Sequence, residues 1–302
     1  MRCDLTIERL QKRFGRTEAL KAVDLAVPRG ALFGLVGLNG AGKTTTLDCS
    51  LGLLRPDAGT IQILGLPPAR ISRSAGRVGA VSDTDRLPSS LSVRQTLEHA
   101  RIAAGKVGRS PTEVESLLGI EHLARRKARH LSHGNRRRLS IATALLGRPE
   151  LLILDEPFSG LDAGGVQDVL ALLVRLNRDE GMTIVLSSHQ LHHVEAIGTH
   201  VGIIHKGITL AQGSLDEILR GERARLRLRV DDRRRAIQIL ESVPGVQAVH
   251  DGAGADIEVE LAGAEPAAVN RELVSAGVAV SELLTRRPSL LSYFQSRIGE
   301  AK

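Results

Sequence analysis

The run Gly37-Leu38-Asn39-Gly40-Ala41-Gly42-Lys43-Thr44-Thr45 sets glycines, one lysine and two hydroxyls at the spacing of a P-loop. Gly37, Gly40 and Gly42 let successive backbone N–H groups turn inward on α- and β-phosphates, with Asn39, Ala41 and Thr45 completing the cradle. Lys43 is placed to reach β/γ oxygens, and the Thr44 hydroxyl is a hard oxygen suited to Mg²⁺. A second cluster, Asp155-Glu156, closes the apolar run Leu151–Leu154. Asp155 suits a Mg²⁺ shell, while Glu156, one residue further on, suits orienting or deprotonating a water that attacks a γ-phosphate. A third segment, Leu131-Ser132-His133-Gly134-Asn135, opens a helix, so that Ser132, Gly134 and the helix N-terminus form an anion site. Nucleotide phosphate hydrolysis is the chemistry these three segments share.

Such groups work only if a sheet delivers them to one edge. The apolar run 31–36 ahead of the loop reads as a buried parallel strand, and Lys43–Leu54 as the following helix, ending near Gly52 and Pro56. Strands at Leu151–Leu154 and Thr183–Ser187, separated by a helix over Gly165–Arg178, have the βαβ spacing of a parallel sheet. Residues 4–30 read as an antiparallel layer with a turn at Phe14-Gly15-Arg16, and Thr60–Leu64 and Val78–Val81 as further strands. Helical spacing takes over at Val93–Ala104, Thr112–Leu118 and Arg136–Leu146, an insert of about residues 84–147. Strands at Val201–Ile204 and Ile208–Leu210 and a helix over Ser214–Leu219 lead to a domain end near 220. Residues 221–302 then alternate strand, helix, two strands, helix, strand and helix, a small α+β domain of ferredoxin-like pattern. The expected fold is therefore an α/β P-loop NTPase with an antiparallel β layer and a helical insert over 1–220, plus that C-terminal α+β domain.

The 302 residues are 42% hydrophobic and 25% charged, ordinary for a globular protein, and no segment has the ~18 uncharged apolar residues of a membrane span. The first residues lack an apolar secretory core, and Cys3 and Cys49 are the only cysteines, which points to a reducing cytoplasm. A net charge of +7 raises nucleic acid as a partner, but the arginines at 125–129, 136–138 and 220–235 carry no interleaved aromatics, so a solvated basic surface is the expectation.

The order P-loop, Leu-Ser-His-Gly-Asn, Asp-Glu resembles the ATP-binding subunit of ABC transporters, whose signature Leu-Ser-Gly-Gly-Gln sits between a P-loop and an Asp-Glu strand. The resemblance covers roughly residues 4–220, with His133 and Asn135 departing from the signature and Leu38 standing at a usual proline. It implies ATP and Mg²⁺ as ligands, and a head-to-tail pair of ATPase subunits in which Ser132 and Gly134 act on the nucleotide of the other copy. Phe14 falls where the family stacks adenine, Asp162 of Ser159-Gly160-Leu161-Asp162 in its D-loop, and His189 at its switch histidine on the γ-phosphate. Neighbouring His192 and His193 are expected to be surface or satisfied polar residues. Asp83 aligns with the family's Q-loop glutamine and, although shorter and anionic, keeps a hard oxygen for Mg²⁺ or its water. The long single-cassette layout and the segment 284–294, with Leu284-Thr285-Arg286-Arg287-Pro288 and Tyr293-Phe294, are similar to the drug, antibiotic and lantibiotic exporter branch. The resemblance implies an ATP-hydrolysing subunit that energises a separate membrane-spanning permease from the inner face of the cell membrane, with no nucleic acid as partner. The alternative is a soluble ATPase of the same type acting on nucleic acid or the ribosome.

Overall fold

Strand β3 (Leu32–Val36) is buried at every position and lies between β7 (Thr183–Ser188) and β8 (His200–His205), as a strand covered on both faces must. Around it, β1 (Cys3–Phe14), β2 (Thr17–Pro28), β4 (Ala58–Ile63), β5 (Val78–Val81), β6 (Leu151–Asp155) and β9 (Ile208–Ser214) complete one nine-stranded sheet. Its order is β4-β1-β2-β9-β8-β3-β7-β6-β5. The half running β8-β3-β7-β6-β5 is parallel, and the β4-β1-β2 end is antiparallel, so the expected antiparallel layer is continuous with the parallel sheet. The computed structural model describes residues 2–74, 76–83, 87–104, 108–220, 224–251, 256–286 and 289–300. Thr84, the expected onset of the insert, Gly221, the expected start of the second domain, and Arg287-Pro288 of the tail pattern lie outside them.

Register sets the site. Val36 pairs with Ser188, Asp155 with Ser187, and Val81 with Leu154, so the residues that follow β3, β5, β6 and β7 all leave the sheet at one carboxyl edge. That is where an open parallel sheet presents its ligand groups. Helix α1 (Lys43–Ser50) starts at this edge and packs under β1, β2, β4 and β6. It is shorter than the expected Lys43–Leu54. The chain turns at Leu51 and takes the left-handed conformation at Gly52, leaving Leu53 exposed rather than on the buried stripe.

The insert holds α2 (Val93–Ala104), α3 (Pro111–Leu118) and α4 (His133–Leu145), which pack on one another and, through α4, on β5. Ser110 and Glu113 close a full capping box on α3. Buried Arg109 donates to the Leu145 carbonyl at 2.9 Å and to the Glu180 carboxylate, tying the insert to the end of α5 (Ala163–Glu180). A short helix absent from the sequence reading, α6 (Leu191–Ile197), packs on β3 and β7. It approaches so closely that a Cβ on Gly34 would lie 2.1 Å from Val194 Cγ1, which is why β3 carries a glycine in its middle.

By internal contacts the chain forms two units, Met1–Leu215 and Asp216–Lys302, with α7 (Leu215–Arg220) at the division. The second unit contains β10 (Ala224–Val230), α8 (Arg233–Ser242), β11 (Val246–Asp251), β12 (Asp256–Leu261), α9 (Pro266–Ser275), β13 (Val280–Arg286) and α10 (Leu290–Glu300). Its sheet runs β11-β12-β10-β13, all antiparallel, the split βαβ arrangement of the ferredoxin-like pattern. Leu226, Leu228, Ile257 and Val259 pack with Ala236, Leu240, Val269 and Leu273 in its core. On the opposite face, Arg225, Arg227 and Arg229 stand across from Glu260, Glu258 and Asp256.

Candidate active site

Gly37 leaves β3 so close to β8 that an added Cβ would sit 2.3 Å from the Ile204 carbonyl oxygen. Gly40 and Gly42 have φ of +77° and +108°, and a Cβ on Gly42 would meet Leu20 Cδ2 at 2.6 Å. Gly37 is thus required by space, Gly40 by its backbone conformation and Gly42 by both. Ala41 is anchored by the Gly207 N–H, which donates to its carbonyl at 3.0 Å. Lys43 is 6% exposed, and its ammonium donates to the carbonyls of Gly37 at 2.8 Å and Leu38 at 3.3 Å, closing the loop on itself. No side chain caps α1 and its first turn has no acidic residue, so the first-turn N–H groups and the positive helix end face the loop. Thr44 is exposed at that turn and Thr45 half-buried beside it, while Asn39 and Gly40 form the exposed tip.

Asp155 is 3% exposed at the end of β6. Ser187, on the neighbouring strand, donates its hydroxyl to Asp155 Oδ1 and accepts the Glu156 N–H at 2.9 Å. Glu156 itself is in the left-handed region at φ +46°, a conformation that costs a residue with a Cβ about 1–2 kcal/mol. That turn points its carboxylate back over the edge: Oε1 is 3.7 Å from Lys43 Nζ and Oε2 is 2.9 Å from His189 Nδ1. Ammonium, carboxylate and imidazole therefore converge from the start of α1 and from the residues that follow β6 and β7.

Ser132 caps α4, accepting the Asn135 N–H at 3.3 Å, and Asp162 caps α5, accepting the Gly165 N–H at 2.9 Å. These two caps are neighbours. A Cβ on Gly134 would be 3.3 Å from Leu161 Cδ2, and one on Gly160 would overlap the His133 ring, so the 159–162 loop and the start of α4 are in contact. Helix α4 packs on α2, α3 and β5, whereas α1 packs on β1, β2, β4 and β6. The Ser132, Gly134 and Asp162 group is thus carried on elements other than those that hold Lys43. Asp83 is exposed two residues past β5, and Phe14 is 48% exposed at the end of β1 with the Lys12 ammonium 5.6 Å from its ring centroid.

Two residues escaped the sequence reading. Ser187 is one of two polar residues ending an apolar strand, a signal available in Leu186-Ser187-Ser188. Arg137 sits within the Arg136–Arg138 run read as basic surface, yet it is 1% exposed and lies four residues before buried Ile141 and eight before buried Leu145. Arg138 of the same run is paired with Asp168 at 2.9 Å. His193 also differs from expectation: it is 9% exposed, edge-on to Phe158 with ring centroids 4.7 Å apart. Burial, with His192 and His189 adding repulsion, holds its imidazole below the usual value.

Residues 20–159 match the family described as ABC transporter. The bacitracin transport ATP-binding protein of Enterococcus faecalis is 32% identical over 296 residues, covering 97% of this chain and 95% of that protein. The chain belongs to the ABC transporter family. A daunorubicin resistance ATP-binding protein of Streptomyces coeruleorubidus is likewise 32% identical, over 98% of this chain and 96% of its own length. A solved ATP-binding subunit of an ABC transporter is 31% identical with a TM-score of 0.64, covering 72% of this chain and 92% of that one. As a family member the chain is an ATP-binding, ATP-hydrolysing subunit, and among its described residues no helix is long and apolar enough to cross a membrane.

Proposed function

We propose that this subunit powers export of a drug- or antibiotic-like compound through a separate permease, working at the inner face of the cell membrane as a head-to-tail pair of copies. The observation that carries the catalytic half of this reading is the convergence of Lys43, Glu156 and His189 at the carboxyl edge. The export half is supported by relatives named for bacitracin transport and daunorubicin resistance that match the chain almost end to end.

In this reading the backbone from Gly37 to Thr45 binds the phosphates and Lys43 exchanges its loop carbonyls for β/γ oxygens. The residues present fit Mg²⁺: the Thr44 hydroxyl and the Asp155 carboxylate, whose further lone pairs remain acceptors beside the Ser187 bond, are the hard oxygens it takes, with phosphates and water filling the shell. When bound, it neutralises charge on the β- and γ-oxygens. Glu156 accepts the proton of the attacking water, and His189, already bonded to Glu156, orients that carboxylate and faces the γ-phosphate. Phe14 stacks on adenine, and Asp83 reaches the metal or its water from the end of β5. Ser132 and Gly134, at the start of α4, meet the γ-phosphate of a second copy, with Asp162 and its loop coupling the two sites.

The test is a pair of variants of the full chain. Lys43→Ala should weaken binding of a fluorescent ATP analogue by about 10- to 150-fold, the worth of charge-assisted hydrogen bonds. Glu156→Gln should keep that binding, stop turnover and trap an ATP-dependent dimer visible in light scattering. Turnover by Glu156→Gln at the parent rate would remove Glu156 from the mechanism, and a monomer at saturating ATP would remove the second copy.

A further inference from the structure

Arg137 is one turn into α4 from the Ser132 cap and among the largest fully buried side chains of the chain. Burying a guanidinium is unfavourable unless its charge is met by hydrogen bonds, and the two terminal nitrogens of Arg137 are aimed at backbone carbonyls from two strand ends. One terminal nitrogen donates to the Ser82 carbonyl at 2.6 Å, at the end of β5 and one residue before Asp83. The other donates to the Glu156 carbonyl at 2.6 Å and to the Asp155 carbonyl. A planar fork with fixed donor directions can span the two strand ends in this way, and a lysine ammonium cannot reproduce it.

The contact falls at a revealing place. Glu156 is the left-handed residue whose backbone aims its carboxylate at Lys43 and His189. Its N–H is held by Ser187, and its carbonyl by Arg137 together with the Ser159 N–H at 3.1 Å. With both flanking peptide groups fixed, φ and ψ are fixed, and so is the direction in which Cβ leaves the chain. Strained backbone persists where its surroundings over-determine it, and Arg137 is the one member of this clamp that comes from α4.

We infer that Arg137 is a positioning residue for ATP hydrolysis: through the carbonyls of Asp155 and Glu156 it holds the Glu156 carboxylate in its catalytic direction and ties that direction to helix α4 and to the Ser82-Asp83 segment. The inference rests on the reading of Glu156 as the base. It also makes α4 a two-ended element, with Ser132 and Gly134 at its start serving one nucleotide and Arg137, a turn later, serving the other through the backbone of its own chain.

The experiment measures steady-state ATPase kinetics, fluorescent ATP-analogue affinity and thermal unfolding for the full-length parent, R137M, R137K, E156Q and R137M/E156Q. R137M should fold, bind the analogue within about two-fold of the parent, and lose kcat by about 10- to 100-fold, the scale of a small misplacement of a reacting group. R137K should fall between the two, and it gives the same kcat-against-affinity comparison if R137M does not fold. In single-turnover rates, R137M/E156Q should be no slower than E156Q, because a residue that acts through Glu156 has nothing left to position. An unchanged kcat, a parallel loss of affinity, or losses that multiply in the double variant would each overturn the inference. If E156Q is inactive while R137M turns over normally, only this inference falls; if E156Q turns over normally, the assignment of the base falls and takes this inference with it.

Discussion

Replacing Glu156 by glycine and, separately, by alanine isolates the backbone strain at the site. Both substitutions remove the contacts with Lys43 and His189 equally, so those terms cancel in the comparison. What differs is φ. At +46° a Cβ costs about 1–2 kcal/mol, which favours glycine, while glycine's larger unfolded-state entropy favours alanine by about 0.4–1 kcal/mol. At the middle of both ranges, about 1.5 against about 0.7 kcal/mol, the balance makes the glycine variant more stable by about 0.8 kcal/mol, the reverse of the order at an ordinary position. For the unit Met1–Leu215 this corresponds to a melting difference of about 1–4 °C. The assay is thermal unfolding of the full chain without nucleotide, and the second unit, identical in both variants, drops out of the difference. Both variants should lose about 10²- to 10⁴-fold in turnover, the usual worth of a general base. An alanine variant as stable as the glycine variant, or more so, would show that Glu156 is not held in a strained backbone, and the positioning argument built on it would lose its ground.

The helix caps give a second test: Asp162→Ala should cost about 1 kcal/mol in urea unfolding through the lost bond to the Gly165 N–H, and Asp162→Asn, which keeps an acceptor, should cost much less. Acid should destabilise the fold in a defined window. His193 and His205 are both pushed below the usual 6.5, chiefly by burial, so below about pH 6.5 the unfolded chain takes up protons that the folded chain refuses. Stability therefore falls as pH drops through 6.5 and levels off once the folded imidazoles protonate; titrating urea midpoints from pH 7.5 to 5 checks the slope, and His193→Asn should reduce it. Burial also pushes the Cys49 thiol up to about 11, so at pH 8 a disulfide reagent should modify Cys3 and reach Cys49 only after denaturation.

Much of this site is written in the chain's own order. The glycines, Lys43 and the Asp155-Glu156 pair stand out in the sequence because phosphate chemistry would need those residue types at fixed spacing, and the strands that precede them are unbroken apolar runs. What stayed hidden depends on contacts between distant segments. The Arg136–Arg138 run has the composition of a solvated surface, and only the packing of α4 on β5 shows that its middle member is internal. Helix α6 was missed because Leu191-His192-His193-Val194 alternates polarity weakly and is short, and because its fit depends on the missing side chain of Gly34 on another strand. The early end of α1 escaped for the opposite reason: Leu53 and Leu54 continue an apolar pattern that Gly52 interrupts conformationally.

The row of charges on the small sheet has a consequence for how its strands find one another. Sliding β10 by one residue would turn Arg225, Arg227 and Arg229 into the core and Leu226 and Leu228 out to water, an error that charge and burial both reject. Sliding it by two would set arginine against carboxylate again along β12, at the loss of a single end pair. Charge therefore decides only whether the register is odd or even. Its absolute phase falls to side-chain volume, to how Leu226 meets Val259 and Leu228 meets Ile257 beneath α8 and α9, so core substitutions that exchange large and small residues there should be the ones that let the sheet mispair.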